Sequence, residues 1–127
     1  MTKLNKTILI ADDDFDFLCQ MKFQLEAAGF ATIMANSQKE AESIINGNDF
    51  DAAVFDLMME NDDSGFVLAF KVKKKNASIP VIMTTAVAAE TGISFGSDSQ
   101  WVKADRYLEK GVESDSVADE LKILLNL

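Results

Sequence analysis

Near its N-terminus the chain reads Thr7-Ile8-Leu9-Ile10-Ala11-Asp12-Asp13-Asp14, a continuous apolar run that ends in three carboxylates. A run of this kind is typical of a strand buried on both faces of a parallel sheet. Two later strand-like runs are also followed by a charged residue. Asp56 follows residues 52–55, and Lys110 follows residues 106–109. Ligands of parallel α/β sheets bind at the carboxyl ends of the strands. These strand ends therefore predict a site for a hard divalent cation and a phosphoryl group.

The composition indicates one domain with a substantial core. The chain has 127 residues, of which 48% are hydrophobic, and this length suits a single domain. A single cysteine, Cys19, excludes an internal disulfide and fits a reducing compartment. No stretch approaches the ~20 apolar residues that a membrane helix needs. We therefore expect a soluble, cytoplasmic protein that does not enter a membrane.

The net charge and the absence of histidine argue against two kinds of function, nucleic-acid binding and the carrying of phosphohistidine. The net charge is −9, whereas nucleic-acid-binding domains carry a basic face. The one basic run, Lys73-Lys74-Lys75, suits the C-terminal end of a helix. We therefore expect no nucleic-acid partner. With no histidine, the chain itself cannot carry phosphohistidine, so any phosphohistidine must come from a partner.

Strand-like runs alternate with segments of helical period along the whole chain. The predicted strands are residues 7–11, 31–35, 52–55, 81–85 and 106–109. The helix after the first strand stops at Gly29, and the capping box Ser37-Gln38-Lys39-Glu40 opens the second helix. This alternation predicts a three-layer α/β sandwich with right-handed crossovers.

The sequence predicts the third and the last helix clearly, but it gives only a weak signal for a helix between them. The third runs from about Gly65 to Lys75 and is expected to bury Phe66, Ala69 and Phe70, and the last places a leucine-rich stripe after Val117. A fourth helix would fall within residues 86–104, where glycine and serine are frequent. Because both residues disfavour helix, we expect a long, mobile loop with at most a short helix there.

Each candidate site residue also has a structural interpretation. Asp14 suits a helix N-cap, but three adjacent aspartates exceed what a cap needs, and a cation with oxygen ligands would offset their repulsion. Asp56 alone could be a turn residue, yet a carboxylate at that place can also attack a phosphoryl group. Taken by itself, Lys110 would be interpreted as a surface cation, and Thr85 as a residue that suits a strand because its side chain is branched. Together, their positions at strand ends favour a common site.

These motifs resemble the receiver domain of bacterial response regulators, the chemotaxis-regulator-like domain of two-component signalling. The matching segments, in order, are residues 8–14, Asp56-Leu57-Met58-Met59, Pro80-Val81-Ile82-Met83-Thr84-Thr85-Ala86 and Tyr107-Leu108-Glu109-Lys110. The resemblance covers essentially the whole chain. It implies a flavodoxin-like sandwich with a five-stranded parallel sheet in the order 2-1-3-4-5 and about five helices. From the length of the chain we expect a single receiver domain over residues 1–127 with no output domain.

The resemblance also implies a role for each matching residue. Asp12, Asp13, Asp56 and the backbone carbonyl of Met58 would hold Mg²⁺, and Asp56 would accept the phosphoryl group. Lys110 and Thr85 would bind phosphoryl oxygens, while Thr85 and Tyr107 would form the switch pair. The donor would be a histidine kinase or a histidine phosphotransfer protein. The chain would catalyse only its own phosphorylation and dephosphorylation, and it would signal to a downstream protein through protein–protein contacts.

Two substitutions depart from the family pattern. Glu60 stands where the family usually has proline, and the loop after it is one residue longer than usual. Gly111 also replaces a proline that follows a cis peptide bond, and cis bonds before other residues cost ~3 kcal/mol. A trans bond or local mobility is therefore expected at Gly111.

Other functions remain open at the level of sequence. The chain could be a receiver-like interaction module that works without phosphorylation, or the receiver portion of a longer signalling protein. A small phosphatase that uses an aspartate nucleophile, with Asp12 and Asp14 as its motif, would need a capping element that 127 residues barely provide. A flavin-binding protein is disfavoured because no phosphate-binding loop of Ser, Thr and Gly follows the first strand.

Overall fold

The structure is a computed structural model that describes residues 6–57, 59, 64–85, 105–109 and 115–127. Strands and helices alternate as the sequence predicts from the first strand to the fourth, while residues 86–104, between the fourth and fifth strands, lie outside the described residues. In chain order the elements are β1 Thr7–Ala11, α1 Phe15–Ala27, β2 Ala31–Ala35, α2 Gln38–Gly47, β3 Ala52–Asp56, α3 Ser64–Lys75, β4 Val81–Thr85, β5 Arg106–Glu109 and α4 Asp115–Leu124. The predicted fold class is therefore confirmed for the described part of the chain.

All strands belong to one parallel sheet with the order β2-β1-β3-β4-β5. β1 lies between β2 and β3, so the chain moves outward on one side of β1 and then returns to build the other side. The strand order therefore reverses next to β1 and β3. In a sheet of this type, that reversal opens the crevice in which ligands bind.

Helices cover both faces of the sheet and create two separate cores. On one face, α2 and α3 pack over side chains that include Leu9, Phe55 and Met83, which are fully buried. On the other face, α1 and α4 pack over a second set that includes Ile10 and Ile82. Burying these side chains supplies the main stabilising free energy, because each fully buried aliphatic side chain contributes about 1.5–3 kcal/mol.

The helix signals in the sequence correspond to real caps. The Asp14 side chain accepts the backbone N–H of Phe17 at 3.2 Å, and the Ser37 side chain accepts the N–H of Glu40 at 3.1 Å. Gly29, just beyond α1, has a φ of 104°, a conformation that only glycine adopts without strain. The predicted starts of α1 and α2 and the end of α1 are therefore confirmed.

The prediction for the third helix is wrong in one respect. α3 begins at Ser64, and Phe70 is 53% exposed rather than buried. The buried positions of α3 include Leu68 and Val72. At 3.6 residues per turn, Phe70 lies roughly 160–200° around the helix from each of these residues. It therefore lies on the outer face, although its size had suggested a core position.

The basic end of α3 is bound to its surroundings rather than simply solvated. Lys73 Nζ lies 2.7 Å from both the Asp105 carboxylate and the Ile79 carbonyl. Lys75 Nζ donates to the Ile45 carbonyl at 2.7 Å, near the C-terminal end of α2. These contacts connect α3 to α2 and to the entry into β5.

Some expectations concern other parts of the chain. The predicted loop over residues 86–104 and the peptide bond at Gly111 lie outside the described residues. Within the part that is described, no helix is both long and apolar enough to cross a bilayer.

Candidate metal and phosphoryl-acceptor site

The carboxyl ends of β1 and β3 bring three aspartates together. β1 and β3 pair in parallel, with Ile10 opposite Val54 and Ala11 opposite Phe55. Asp56 is the last residue of β3, and Asp12 and Asp13 directly follow β1. Each of the three offers a carboxylate oxygen, and these oxygens lie within 4.8 Å of one another. The structure thus gathers the three carboxylates that the sequence predicts.

Burial differs sharply among these carboxylates. Asp12 is 2% exposed and Asp56 is 6% exposed, whereas Asp13 is exposed to solvent. Removing an ionised carboxylate from water is costly unless another charge or hydrogen bonds compensate. A hard divalent cation with oxygen ligands provides that compensation. The cluster therefore fits a cation such as Mg²⁺, which would reach it from the Asp13 side.

Backbone contacts fix Asp12 in place. Its N–H donates to the Ala35 carbonyl at 3.2 Å, which extends the pairing of β1 with β2 by one residue. Its Oδ1 accepts the N–H of Asp14 at 2.9 Å. The turn after β1 thus orients Asp12 toward the cluster and leaves Asp14 to cap α1. The three adjacent aspartates therefore divide into two cluster members and one cap.

The turn after Asp56 is fixed from two sides. The N–H of Leu57 donates to the Thr84 carbonyl at 2.8 Å, and the Leu57 carbonyl accepts the N–H of Gly65 at 2.8 Å. The first contact ties the turn to β4, and the second ties it to the start of α3. The sequence does not predict that Gly65 and Thr84 hold this turn, because neither contact follows from a local pattern.

The remaining predicted residues are described less completely. Thr85 is the last residue of β4, and Tyr107 lies opposite Met83 in the pairing of β4 with β5. The side chains of Thr85 and Tyr107 lie outside the described part of the structure, as do Met58 and Lys110 altogether. The assigned roles of these four residues therefore stay predictions.

A parallel sheet in this strand order, with three carboxylates at its switch point of which two are buried, is the arrangement of a receiver-type α/β domain. The family model described as "Response regulator receiver domain" matches residues 8–122. The chain belongs to this family.

Individual relatives agree with this assignment. The chain is 34% identical over 119 residues to the heme response regulator HssR of Staphylococcus saprophyticus, covering 94% of this chain and 51% of that protein. It is 31% identical over 124 residues to the phosphate regulon transcriptional regulatory protein PhoB of Pseudomonas aeruginosa, covering 96% and 52% respectively. The chain thus spans about half the length of these curated relatives.

A solved structure adds information about the site. The response regulator TrrA of Thermotoga maritima, in complex with Mg²⁺-BeF, superposes with a TM-score of 0.80 and 25% identity. The match covers 94% of this chain and 99% of that one. A domain with the same fold and similar sequence therefore binds Mg²⁺ together with a beryllium fluoride.

Proposed function

We propose that this chain is a phosphorylation-controlled switch whose phosphoryl acceptor is Asp56. The observation that carries the proposal is the cluster of carboxylate oxygens from Asp12, Asp13 and Asp56 within 4.8 Å. Asp56 ends a central strand and is 6% exposed. Its carboxylate is therefore fixed at the end of a strand and largely removed from solvent, and a carboxylate can act as a nucleophile.

The proposed chemistry is transfer from a partner's phosphohistidine. A carboxylate oxygen of Asp56 attacks the phosphorus, a new O–P bond forms, and the P–N bond to the imidazole breaks. The leaving imidazole nitrogen takes up a proton. The donor lies outside this chain, because the chain contains no histidine. A histidine kinase or a histidine phosphotransfer protein has the required chemistry.

Asp12, Asp13, Asp56 and the Met58 carbonyl are the proposed Mg²⁺ ligands. A bound Mg²⁺ supplies positive charge that offsets the charge developing on the phosphoryl oxygens. Of the three aspartates, Asp12 is held by backbone contacts and Asp13 faces solvent. Asp12 would thus set the geometry of the site, while Asp13 would receive the incoming ion.

Lys110 and Thr85 are proposed to bind the phosphoryl oxygens, and Thr85 with Tyr107 to pass the signal on. The end of β4 next to β3 supports this assignment for Thr85, and the pairing of β5 with β4 supports it for Tyr107. Phosphorylation adds a charge that can shift a two-state surface. The only reactions that we assign to the chain itself are its own phosphorylation and dephosphorylation.

The wider context is also part of the proposal. We place the protein in the cytoplasm, treat residues 1–127 as one receiver domain, and expect its output to pass through contacts with a protein target. The expectation that nucleic acid plays no part is unsupported, because one relative of about twice the length is named a transcriptional regulatory protein. The proposal therefore does not exclude a role in which this domain works together with a DNA-binding domain.

A small-molecule phosphoryl donor tests the proposal directly. Wild type, Asp56→Asn and the control Asp49→Asn, whose residue is exposed on the surface, are incubated with acetyl phosphate, with and without Mg²⁺. We expect wild type and Asp49→Asn to gain the mass of one phosphoryl group only when Mg²⁺ is present. Asp56→Asn should gain none. Equal incorporation into all three proteins would refute the proposal.

A further inference from the structure

The side chains that face α1 and α4 change from apolar to polar at one level of the sheet. Successive side chains of a strand alternate between the two faces, so residues two apart share a face. The apolar level consists of Ile10 on β1, Val54 on β3 and Ile82 on β4. The next level consists of Asp12, Asp56 and Thr84. Thr84 thus continues the acidic pair onto a third strand.

Thr84 holds the backbone on both sides of Asp56. It is the register partner of Asp56 in the pairing of β3 with β4. Its hydroxyl donates to the Phe55 carbonyl at 3.3 Å, and its own carbonyl accepts the N–H of Leu57 at 2.8 Å. The residues immediately before and after Asp56 are therefore both bonded to this one threonine.

Thr84 is also buried, and it lines the same small cavity as Asp12. Thr84 is 3% exposed, and this space is a partly open cavity of about 10 Å³. The other residues around this space are apolar: Ile10, Ala11, Phe17, Leu18, Met21 and Val54. A buried hydroxyl is costly without a hydrogen bond, and valine has a similar shape and suits a strand equally well. The hydrogen bond to the Phe55 carbonyl offsets this cost, and this bond is what threonine adds to the packing that valine would also provide.

We propose that Thr84 is a positioning residue for the acceptor, in that its hydroxyl holds the end of β3 so that the Asp56 carboxylate stays within ligand distance of Asp12 and Asp13. This inference rests on the proposed function of Asp56. Thr84 acts only through the backbone of β3 and contacts no phosphoryl group. It is distinct from Thr85, to which the phosphoryl contact was assigned.

Three substitutions at this position separate the hydroxyl from the packing. Thr84→Val removes the hydroxyl and keeps the shape, Thr84→Ser keeps the hydroxyl, and Thr84→Ala provides a second hydroxyl-free variant should valine prevent folding. Thr32→Val on β2 is the control, because the hydroxyl of Thr32 donates to the exposed Glu26 carboxylate, away from the cluster. Mg²⁺ affinity is measured by calorimetry, phosphorylation rate with acetyl phosphate, and stability by urea denaturation.

We expect Thr84→Val and Thr84→Ala to weaken Mg²⁺ binding and slow phosphorylation by about two- to tenfold each, the effect of losing one net hydrogen bond. Thr84→Ser should restore both to near the wild-type values, and Thr32→Val should change neither. Unchanged affinity and rate in the hydroxyl-free variants, even with reduced stability, would overturn the inference. So would failure of serine to restore them. A wild-type protein that is not phosphorylated at Asp56 would instead overturn the proposed function, and this inference with it.

Discussion

Gly65, at the start of α3, has no room for a side chain. A Cβ placed on it would lie 2.5 Å from the Met83 sulfur and 2.7 Å from both the Asp56 carbonyl oxygen and the Leu57 Cα. Ordinary contact begins at 3.4 Å, so these atoms would be about 0.7–0.9 Å too close. Two of the three neighbours are backbone atoms of the segment that carries the proposed acceptor. They cannot move without moving Asp56.

The net cost of Gly65→Ala follows from two opposing effects. Overpacking a tight interior costs about 1–3 kcal/mol, and the high end applies here because backbone atoms must yield. Alanine gains up to about 1 kcal/mol over glycine within a helix. We therefore expect the free energy of unfolding to fall by about 2 kcal/mol. For a domain of this size, that loss lowers Tm by roughly 7 °C.

The matched control is Gly47→Ala at the end of α2, where a Cβ would meet nothing within 4 Å. The same substitution should leave stability unchanged or raise it by up to about 1 kcal/mol there. Urea and thermal denaturation followed by circular dichroism measure both variants. Gly65→Ala should also weaken Mg²⁺ binding, because its neighbours include Asp56. If Gly65→Ala were as stable as Gly47→Ala, the close approach described above would be wrong.

Three further predictions address the site, a titrating pair and a helix cap. Asp13→Ala should weaken Mg²⁺ binding by at least about tenfold, since even residues that only support a metal ligand contribute ~10–100-fold; calorimetry should show no change for the exposed Asp119→Ala. The hydrogen bond from Lys22 holds the pKa of Glu26 below its ordinary value of 4.5. This hydrogen bond therefore stabilises the folded protein above pH 4.5, and the stabilisation is lost as the pH falls through the pKa that Glu26 has in the folded state. An NMR titration should show Lys22→Gln returning the Glu26 midpoint toward 4.5, and an unchanged midpoint would contradict this cause. Ser37→Ala should cost ~1 kcal/mol in urea denaturation by removing the cap of α2, and a loss near zero would show that the cap contributes little.

The sequence predicts the layered fold because its signals are local. The apolar run of residues 7–11, the cap at Ser37 and the helix stop at Gly29 each act within a few residues. Local signals of this kind do not need knowledge of which strands are neighbours. The strand order came from the resemblance to a family, and the pairing of β1 with both β2 and β3 confirms it.

The acidic cluster could also be predicted, since it depends only on which residues follow the strands. Asp12, Asp13 and Asp56 all come at strand ends, and parallel strands end at the same edge. The sequence also predicts that Asp14 caps the first helix, and the structure confirms this.

Other features depend on register and on helix rotation, which local sequence does not encode. Thr84 acquires its meaning from lying opposite Asp56, and Gly65 from the approach of α3 to the end of β3. The exposure of Phe70 has the same origin, because small residues such as Gly65 and Ala69 turn their side of α3 toward the sheet. Predicting these three residues requires the packed structure.

The central claim is that Asp56 becomes an acyl phosphate, and localising the phosphoryl group tests it most directly. Wild-type protein is phosphorylated by a phosphohistidine donor with Mg²⁺ and then reduced with borohydride, which converts an aspartyl phosphate to homoserine. Protease digestion and mass spectrometry then identify the modified residue. The account predicts homoserine at position 56 and at no other aspartate. Modification at Asp12 or Asp13 instead, or its persistence elsewhere in Asp56→Asn, would contradict the account.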